Sequence, residues 1–248
     1  MTKTILITGA SRGIGRAAAV QCGRKGWSVG VNYASNEAAA AATVAAVEAA
    51  GGNATAIKGD VSVEADVVSM FKKVVAAFGP IDGLVNNAGV LATGSRLADM
   101  TEARLRRVFD INVLGAFLCA REAARLMSKS RGGDGGAIVN ISSASARLGA
   151  PGEAIDYAAS KGAIDSMTLG MAKELGLEGI RVNAIRPGII DTEIHAAMGA
   201  PTRARDLGPG VPLGRSGKPD EVAAAIIWLL GDESSYLAGA IIDVTGGR

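Results

Sequence analysis

The stretch Thr4-Ile5-Leu6-Ile7-Thr8-Gly9-Ala10-Ser11-Arg12-Gly13-Ile14-Gly15 decides the fold. Its first half is an unbroken apolar and β-branched run, the pattern of a strand buried on both faces of a parallel sheet. Its second half spaces glycines at 9, 13 and 15, and a helical stretch from about Ile14 to Lys25 follows, closed by Gly26. Strand, glycine turn and helix in that order open a βαβ unit. Glycine lets the backbone turn tightly and lets a pyrophosphate approach the helix N-terminus, where free N–H groups and the dipole favour an anion. The spacing is G-x-x-x-G-x-G rather than the commonest dinucleotide fingerprint, so its position after the first strand carries the nucleotide reading. Gly9, Ser11, Arg12, Gly13, Ile14 and Gly15 are therefore candidate cofactor-binding residues.

The same unit repeats outward. Ser28 to Tyr33, Ala54 to Lys58, Ile81 to Asn86, Gly136 to Ser142, Ile180 to Ile185 and Ala240 to Val244 read as further strands. Helices are expected over Asn36–Ala50, Glu64–Phe78, Tyr157–Leu177 and Asp220–Leu230, with one long helix from Thr101 to about Lys129. A Gly/Pro-rich stretch from Pro187 to Pro219 interrupts the rhythm. Six or seven β–α alternations without a composition break predict a single α/β domain over residues 1–248, a doubly wound parallel sheet of about seven strands flanked by helices. Right-handed crossovers bring every strand's C-terminal end to one edge, where ligands should bind.

Composition narrows the function. Of 248 residues, 48% are hydrophobic and 20% charged, which excludes disorder. Lys and Arg total 26 against 24 acidic residues, a net charge of +2, so no electrostatic footprint for nucleic acid or an anionic membrane exists. The apolar run Ile5-Leu6-Ile7 is too short for a signal segment or a membrane span. Cys22 and Cys119 are too few for a disulfide framework, no cluster has zinc spacing, and both read as small core residues. A reduced, cytoplasmic protein acting on a small molecule is the expectation.

The second strand discriminates between nucleotides. A carboxylate about 20 positions past the glycines would bind the ribose 2′-hydroxyl of NAD. The strand end here reads Val31-Asn32-Tyr33-Ala34-Ser35, and Glu37 belongs to the first turn of the next helix. Arg12 lies in the glycine turn beside that end. A cation where the carboxylate is missing suits a 2′-phosphate, so NADP is expected, with hydroxyl or amide contacts from residues such as Asn32 and Ser35.

Tyr157 and Lys161 are four apart at a predicted helix start, hence on one face. An ammonium near a phenol favours the phenolate and lowers its pKa from about 10. Ser142-Ser143 end the fifth strand on the ligand edge, where a hydroxyl could hydrogen-bond a substrate oxygen as charge develops.

With these residues in hand, the chain resembles the short-chain dehydrogenase/reductase family along essentially its whole length. Thr8 to Gly15 is similar to the family's TGxxxGxG turn, and Asp60-Val61 resembles its adenine-contacting acidic position. Asn86-Asn87-Ala88-Gly89 reproduces NNAG, adding Asn87, Ala88 and Gly89 to the cofactor set. Pro187-Gly188 with Ile190 and Thr192 resembles the nicotinamide-contacting PGxxxT stretch. Asn112, Ser143, Tyr157 and Lys161 fill the family's catalytic tetrad, with Ser142 the neighbouring choice for the serine. The resemblance implies a Rossmann-fold oxidoreductase, usually a homotetramer, that interconverts a carbonyl and a secondary alcohol. Tyr157 would move the proton, Ser143 polarise the carbonyl, and Lys161 tune the phenol and hold the ribose. Asn112 would keep a water in the proton path. NADPH should be preferred over NADH. A 3-oxoacyl-acyl-carrier-protein reductase and a glucose-type sugar dehydrogenase fit equally. The first would want a basic patch, for which Arg203, Arg205 and Arg215 are candidates; the second would want a polar pocket. A dinucleotide-sensing protein would usually have lost the tyrosine or lysine. A hydrolase would need His195, the only histidine, and would leave Gly15 unexplained. A wet or substrate-lining His195 is expected instead.

Overall fold

The structure, a computed structural model, describes residues 2–248, apart from the side chains of His195 and Ala197. The reading of His195 as wet or substrate-lining thus lies outside the described residues. The first strand, β1, spans Thr4–Ile7 and leads through the glycine turn into α1, Gly13–Arg24. Then follow β2 (Ser28–Tyr33), α2 (Glu37–Ala49), β3 (Asn53–Lys58), α3 (Glu64–Phe78) and β4 (Gly83–Asn86). The second half continues with α4 (Glu102–Phe109), α5 (Gly115–Met127), β5 (Gly136–Ile141), α6 (Ser145–Leu148), α7 (Ile155–Leu175) and β6 (Ile180–Pro187). It ends with α8 (Ile194–Ala197), α9 (Arg203–Leu207), α10 (Pro219–Leu230) and β7 (Ile241–Val244).

The seven strands form one parallel sheet in the order β3-β2-β1-β4-β5-β6-β7. The order reverses between β1 and β4, which makes their C-terminal ends the topological switch point, where a ligand fits. Alternation along β1 builds both faces. Ile5 and Ile7 join a core with Ala18, Cys22 and Ile226, beneath α1 and α10. Leu6 points the other way, to Met70, Phe71 and Val74 of α3. Fully burying a side chain of this size contributes about 1.5–3 kcal/mol. Gly30 on β2 is required by this packing, because a Cβ there would lie 2.6 Å from Val74 Cγ2. Among the described residues no helix is long and apolar enough to cross a membrane.

The expected long helix from Thr101 to Lys129 is broken. It stops at Phe109, and a π-helical turn over Asp110–Leu114 precedes α5. The wider turn carries the buried side chain of Asn112 inward. Such bulges recur at functional sites. The Pro187–Pro219 interruption holds the short helices α8 and α9, and β6 runs on to Pro187.

Candidate active site

The glycine turn is shaped from three sides. Gly9 and Gly13 have positive φ, +61° and +55°, which glycine adopts without a Cβ penalty. A Cβ at Gly15 would lie 2.5 Å from Asn87 Nδ2 and 2.6 Å from the Gly9 carbonyl. Asn87 Nδ2 donates to the carbonyls of Thr8 and Gly9, while the Asn87 and Ala88 amides donate to Thr8 Oγ1. The Asn-Asn-Ala-Gly run after β4 therefore works as a clasp on the turn. Arg12 precedes α1 without capping it by its side chain. The first amides of α1, at Gly13 and Ile14, are left for an anion in the cleft they line.

Asn32 lines the same cleft, but its amide is occupied within the protein. Its Oδ1 accepts from the Gly9 amide, and its Nδ2 donates to the carbonyls of Ile57 and Gly59. These bonds hold the turn to β2 and β3. Arg12 is exposed, and no ion pair of Arg12 occurs among the described residues. Ser35 shares the rim with Ala34 and with Asn36, which caps α2 by accepting from the Ala39 amide at 2.9 Å. Glu37 starts α2. Asp60 lines the cleft beside Val61 and accepts from the Ser62 amide and hydroxyl.

At the other end of the cleft, β5 and α7 place Ser143, Tyr157 and Lys161 together. The Ser143 hydroxyl lies near enough to the Tyr157 phenol to favour its ionised form and accepts from the Ser145 amide at 3.1 Å. Ser142 points elsewhere, donating to the Lys161 carbonyl at 3.1 Å. Geometry thus separates two serines that their adjacency leaves equivalent. Lys161 is buried, donates from Nζ to the Ile141 carbonyl at 2.7 Å, and lies 5.6 Å from the Tyr157 ring centroid. Burial pulls its ammonium down from 10.5 to about 8, against the opposing charge of Asp165. Burial also raises the Tyr157 phenol, and the neighbouring Ser143 hydroxyl offsets only part of this. The net fall expected beside the ammonium is absent from the protein by itself.

Asn112 reaches the same corner through the π turn. Its Oδ1 accepts from the Val90 amide at 2.8 Å, and its Nδ2 donates to the Val90 carbonyl and Ser160 Oγ. A Cβ on Gly89 would sit 3.3 Å from Asn112 Oδ1 and 3.5 Å from Lys161 Nζ, so this glycine admits both side chains against the β4 loop. Asp156, just before Tyr157, is buried and takes a two-pronged bond from Arg104 of α4 at 2.7 and 3.1 Å. Burial raises its carboxyl, but the bonds from Arg104 and the Tyr157 amide outweigh this and leave it below the usual range. That pair fixes the first turn of α7.

A single cleft of about 860 Å³ joins the turn to the Ser143–Tyr157–Lys161 group. Pro187, Gly188, Ile190 and Thr192 line it between the two ends. Gly188 packs against Thr245, where a Cβ would meet the backbone at 2.7 Å, and Ile190 bridges Gly217. Beyond Tyr157, side chains not singled out in the sequence complete the wall, among them Leu91, Leu148, Glu153, Met198 and Leu207. They come from loops, where neither periodicity nor motif marks a residue. The three lid arginines are each paired: Arg203 with Glu153, Arg205 with Asp206 and Arg215 with Glu221. No group of three or more His, Cys, Asp or Glu able to hold a metal occurs among the described residues.

Known proteins with this arrangement extend over the whole chain. It is 48% identical over 243 residues to the uncharacterized oxidoreductase YgfF of Escherichia coli, covering 98% of each. It is 38% identical over 247 residues to the 3-oxoacyl-(acyl-carrier-protein) reductase FabG of Staphylococcus aureus, covering 100% of this chain and 98% of that protein. A mutant short-chain dehydrogenase/reductase of Serratia marcescens superposes with a TM-score of 0.90 at 37% identity, over 99% of this chain and 97% of that one. Levodione reductase does so with 0.90 at 31% identity, over 99% and 96%. A family described as enoyl-(acyl carrier protein) reductase matches residues 9–248. With the glycine turn, the Ser143–Tyr157–Lys161 group and relatives of this kind along its full length, the chain belongs to the short-chain dehydrogenase/reductase family of oxidoreductases.

Proposed function

We propose that the protein is an NADP(H)-dependent oxidoreductase interconverting a carbonyl and a secondary alcohol, with Tyr157 as the proton donor and acceptor. The observation that carries this reading is the gathering of Ser143, Tyr157 and buried Lys161 in one cleft with an uncapped glycine turn. The turn suits a dinucleotide, since glycine at 9 and 15 lets it close tightly on Asn87 and Ala88, where a Cβ would clash at 3.0 Å or less, and the first amides of α1 are left without a side-chain cap. Gly9, Ser11, Gly13, Ile14 and Gly15 would hold the pyrophosphate, and Asp60, Val61, Asn87, Ala88 and Gly89 the adenosine and ribose. Pro187, Gly188, Ile190 and Thr192 would flank the nicotinamide, which supplies the hydride when bound. Arg12 and Ser35, at a strand end without a carboxylate, support a 2′-phosphate and hence NADP.

In this reading Ser143 donates to the substrate oxygen and aligns it with the Tyr157 phenol. Tyr157 gives its proton to that oxygen during reduction and takes one during oxidation. Lys161, charged below about pH 8, stabilises the phenolate that remains. Asn112 holds the Val90 backbone and keeps Gly89 against Lys161. Exposed Phe109, Leu114, Phe117 and Leu169 along α4 to α7 support association into a homotetramer.

Tyr157→Phe tests the proposal. It removes one oxygen and leaves the ring to pack, so thermal stability and NADPH affinity should stay near parental. Turnover of any active carbonyl substrate should fall by about 10²–10⁴. Near-parental turnover in a folded variant refutes the mechanism.

A further inference from the structure

The cleft that holds Tyr157 is the substrate compartment, and Leu91, Leu148, Pro151, Ile194, Met198 and Leu207 are an apolar part of its wall. Among the charged residues that line it, Arg107 is exposed, while Glu153, on the loop between α6 and α7, pairs with Arg203, on α9 in the 187–219 segment that forms the lid, both partly exposed. They meet as a fork, Arg203 Nη1 to Glu153 Oε1 at 3.0 Å and Nη2 to Oε2 at 2.7 Å. Two-pronged pairs of this kind add geometric definition as well as attraction. Arg248 lies exposed at the rim, and Glu193 lies toward the glycine turn, near Gly13.

Glu153 is also the anchor of its own wall. Its carbonyl accepts from the Ser95 amide at 2.9 Å and from Arg104 Nη2 at 3.4 Å. Arg104 donates to the Thr93 carbonyl and to Asp156 as well. The loop that carries Glu153 turns through Ala150 at φ +43°, a left-handed conformation uncommon for a residue with a Cβ. One residue therefore ties together the loop after β4, the wall before α7 and the lid.

We propose that Glu153 and Arg203 are the latch of the substrate lid, and that their mutual neutralisation makes the compartment select an uncharged, largely apolar ketone or its alcohol. The inference rests on the carbonyl–alcohol reading above and narrows its substrate class. A carboxylate or phosphate entering this space finds Arg203 already engaged. A sugar would set its hydroxyls against the apolar wall of Leu91, Leu148, Met198 and Leu207, and buried hydroxyls left unpaired bind poorly.

The test compares methylcyclohexanone with oxocyclohexanecarboxylate, a pair differing in a methyl against a carboxylate, together with glucose and acetoacetyl-CoA. NADPH oxidation is followed for the ketones and NADP reduction for glucose. In the parent protein kcat/KM for the methyl ketone should exceed that for the carboxylate by about tenfold or more. Glu153→Gln keeps the shape and frees Arg203. The carboxylate-to-methyl ratio should then rise about tenfold, mainly through KM. Glu153→Gln with Arg203→Met should return the ratio toward the parental value. A parent that prefers the carboxylate, glucose or the CoA ester overturns the latch, as does a Glu153→Gln ratio within twofold of the parental one. These outcomes leave the carbonyl–alcohol reading standing wherever turnover still depends on Tyr157. Turnover indifferent to Tyr157→Phe, or none with any compound despite NADPH binding, overturns that reading and the latch with it.

Discussion

Replacing Lys161 by Met isolates the electrostatic cost built into the site. The side chain is 4% exposed, and its pKa falls from 10.5 to about 8 through burial. Its folded-state value is thus below its unfolded value, so the unfolded chain binds more protons between these pH values, and stability rises with pH across the window. Each pKa unit is worth about 1.4 kcal/mol, so the penalty at pH 7 is about 3 kcal/mol and has mostly vanished by pH 10. Methionine fills a similar volume without a charge. The stability of Lys161→Met minus that of the parent should therefore decrease by about 2–3 kcal/mol from pH 7 to pH 10. The constant terms, including the lost bond to the Ile141 carbonyl, cancel from that change. Urea unfolding of both proteins without cofactor, at equal protomer concentration, provides the measurement. A stability difference flat within about 0.5 kcal/mol over that range would show that Lys161 is solvated or ion-paired in the folded state, and would refute the reasoning.

Two other perturbations separate cofactor recognition from chemistry. Arg12→Ala should weaken NADPH binding by about tenfold or more while leaving NADH within about twofold, because a charge-assisted contact is worth about 1.5–3 kcal/mol; equal losses in titrations of the two cofactors would remove Arg12 from 2′-phosphate recognition. Gly15→Ala drives a Cβ against Asn87 Nδ2 and the Gly9 carbonyl. It should lower stability by about 1–3 kcal/mol and weaken both cofactors alike, and a parental melting temperature with parental affinity would show that the turn is not packed as described.

The sequence alone determined the order of the strands in the chain, their parallel class and the place of the phosphate turn. Each of these depends on local patterns: apolar runs four to eight residues long, and glycines where the backbone must turn. Tyr157 and Lys161 were legible because helical spacing puts them on one face, and Glu64–Phe78 because its periodicity and its Gly79 stop agree. Asn112 was legible as a motif position, yet not the π turn that delivers it, since Ile111-Asn112-Val113 suits an ordinary helix as well. The choice between Ser142 and Ser143 belonged to the tertiary structure. Both follow the end of β5, and only the packing of α7 against that turn decides which hydroxyl is bonded to the Lys161 carbonyl and which is left near Tyr157. Asn32 and Asn87 read as cofactor residues from sequence, and only the tertiary structure shows that contacts spanning 23 to 79 positions also use their side-chain amides to hold the turn. Burial likewise shifts the Lys161 ammonium down and the Tyr157 phenol up, and the pairing of Arg203 with Glu153 arises only in the fold. Solvent exclusion and long-range ion pairing depend on what surrounds a group in space, and no neighbouring residue in the chain encodes that.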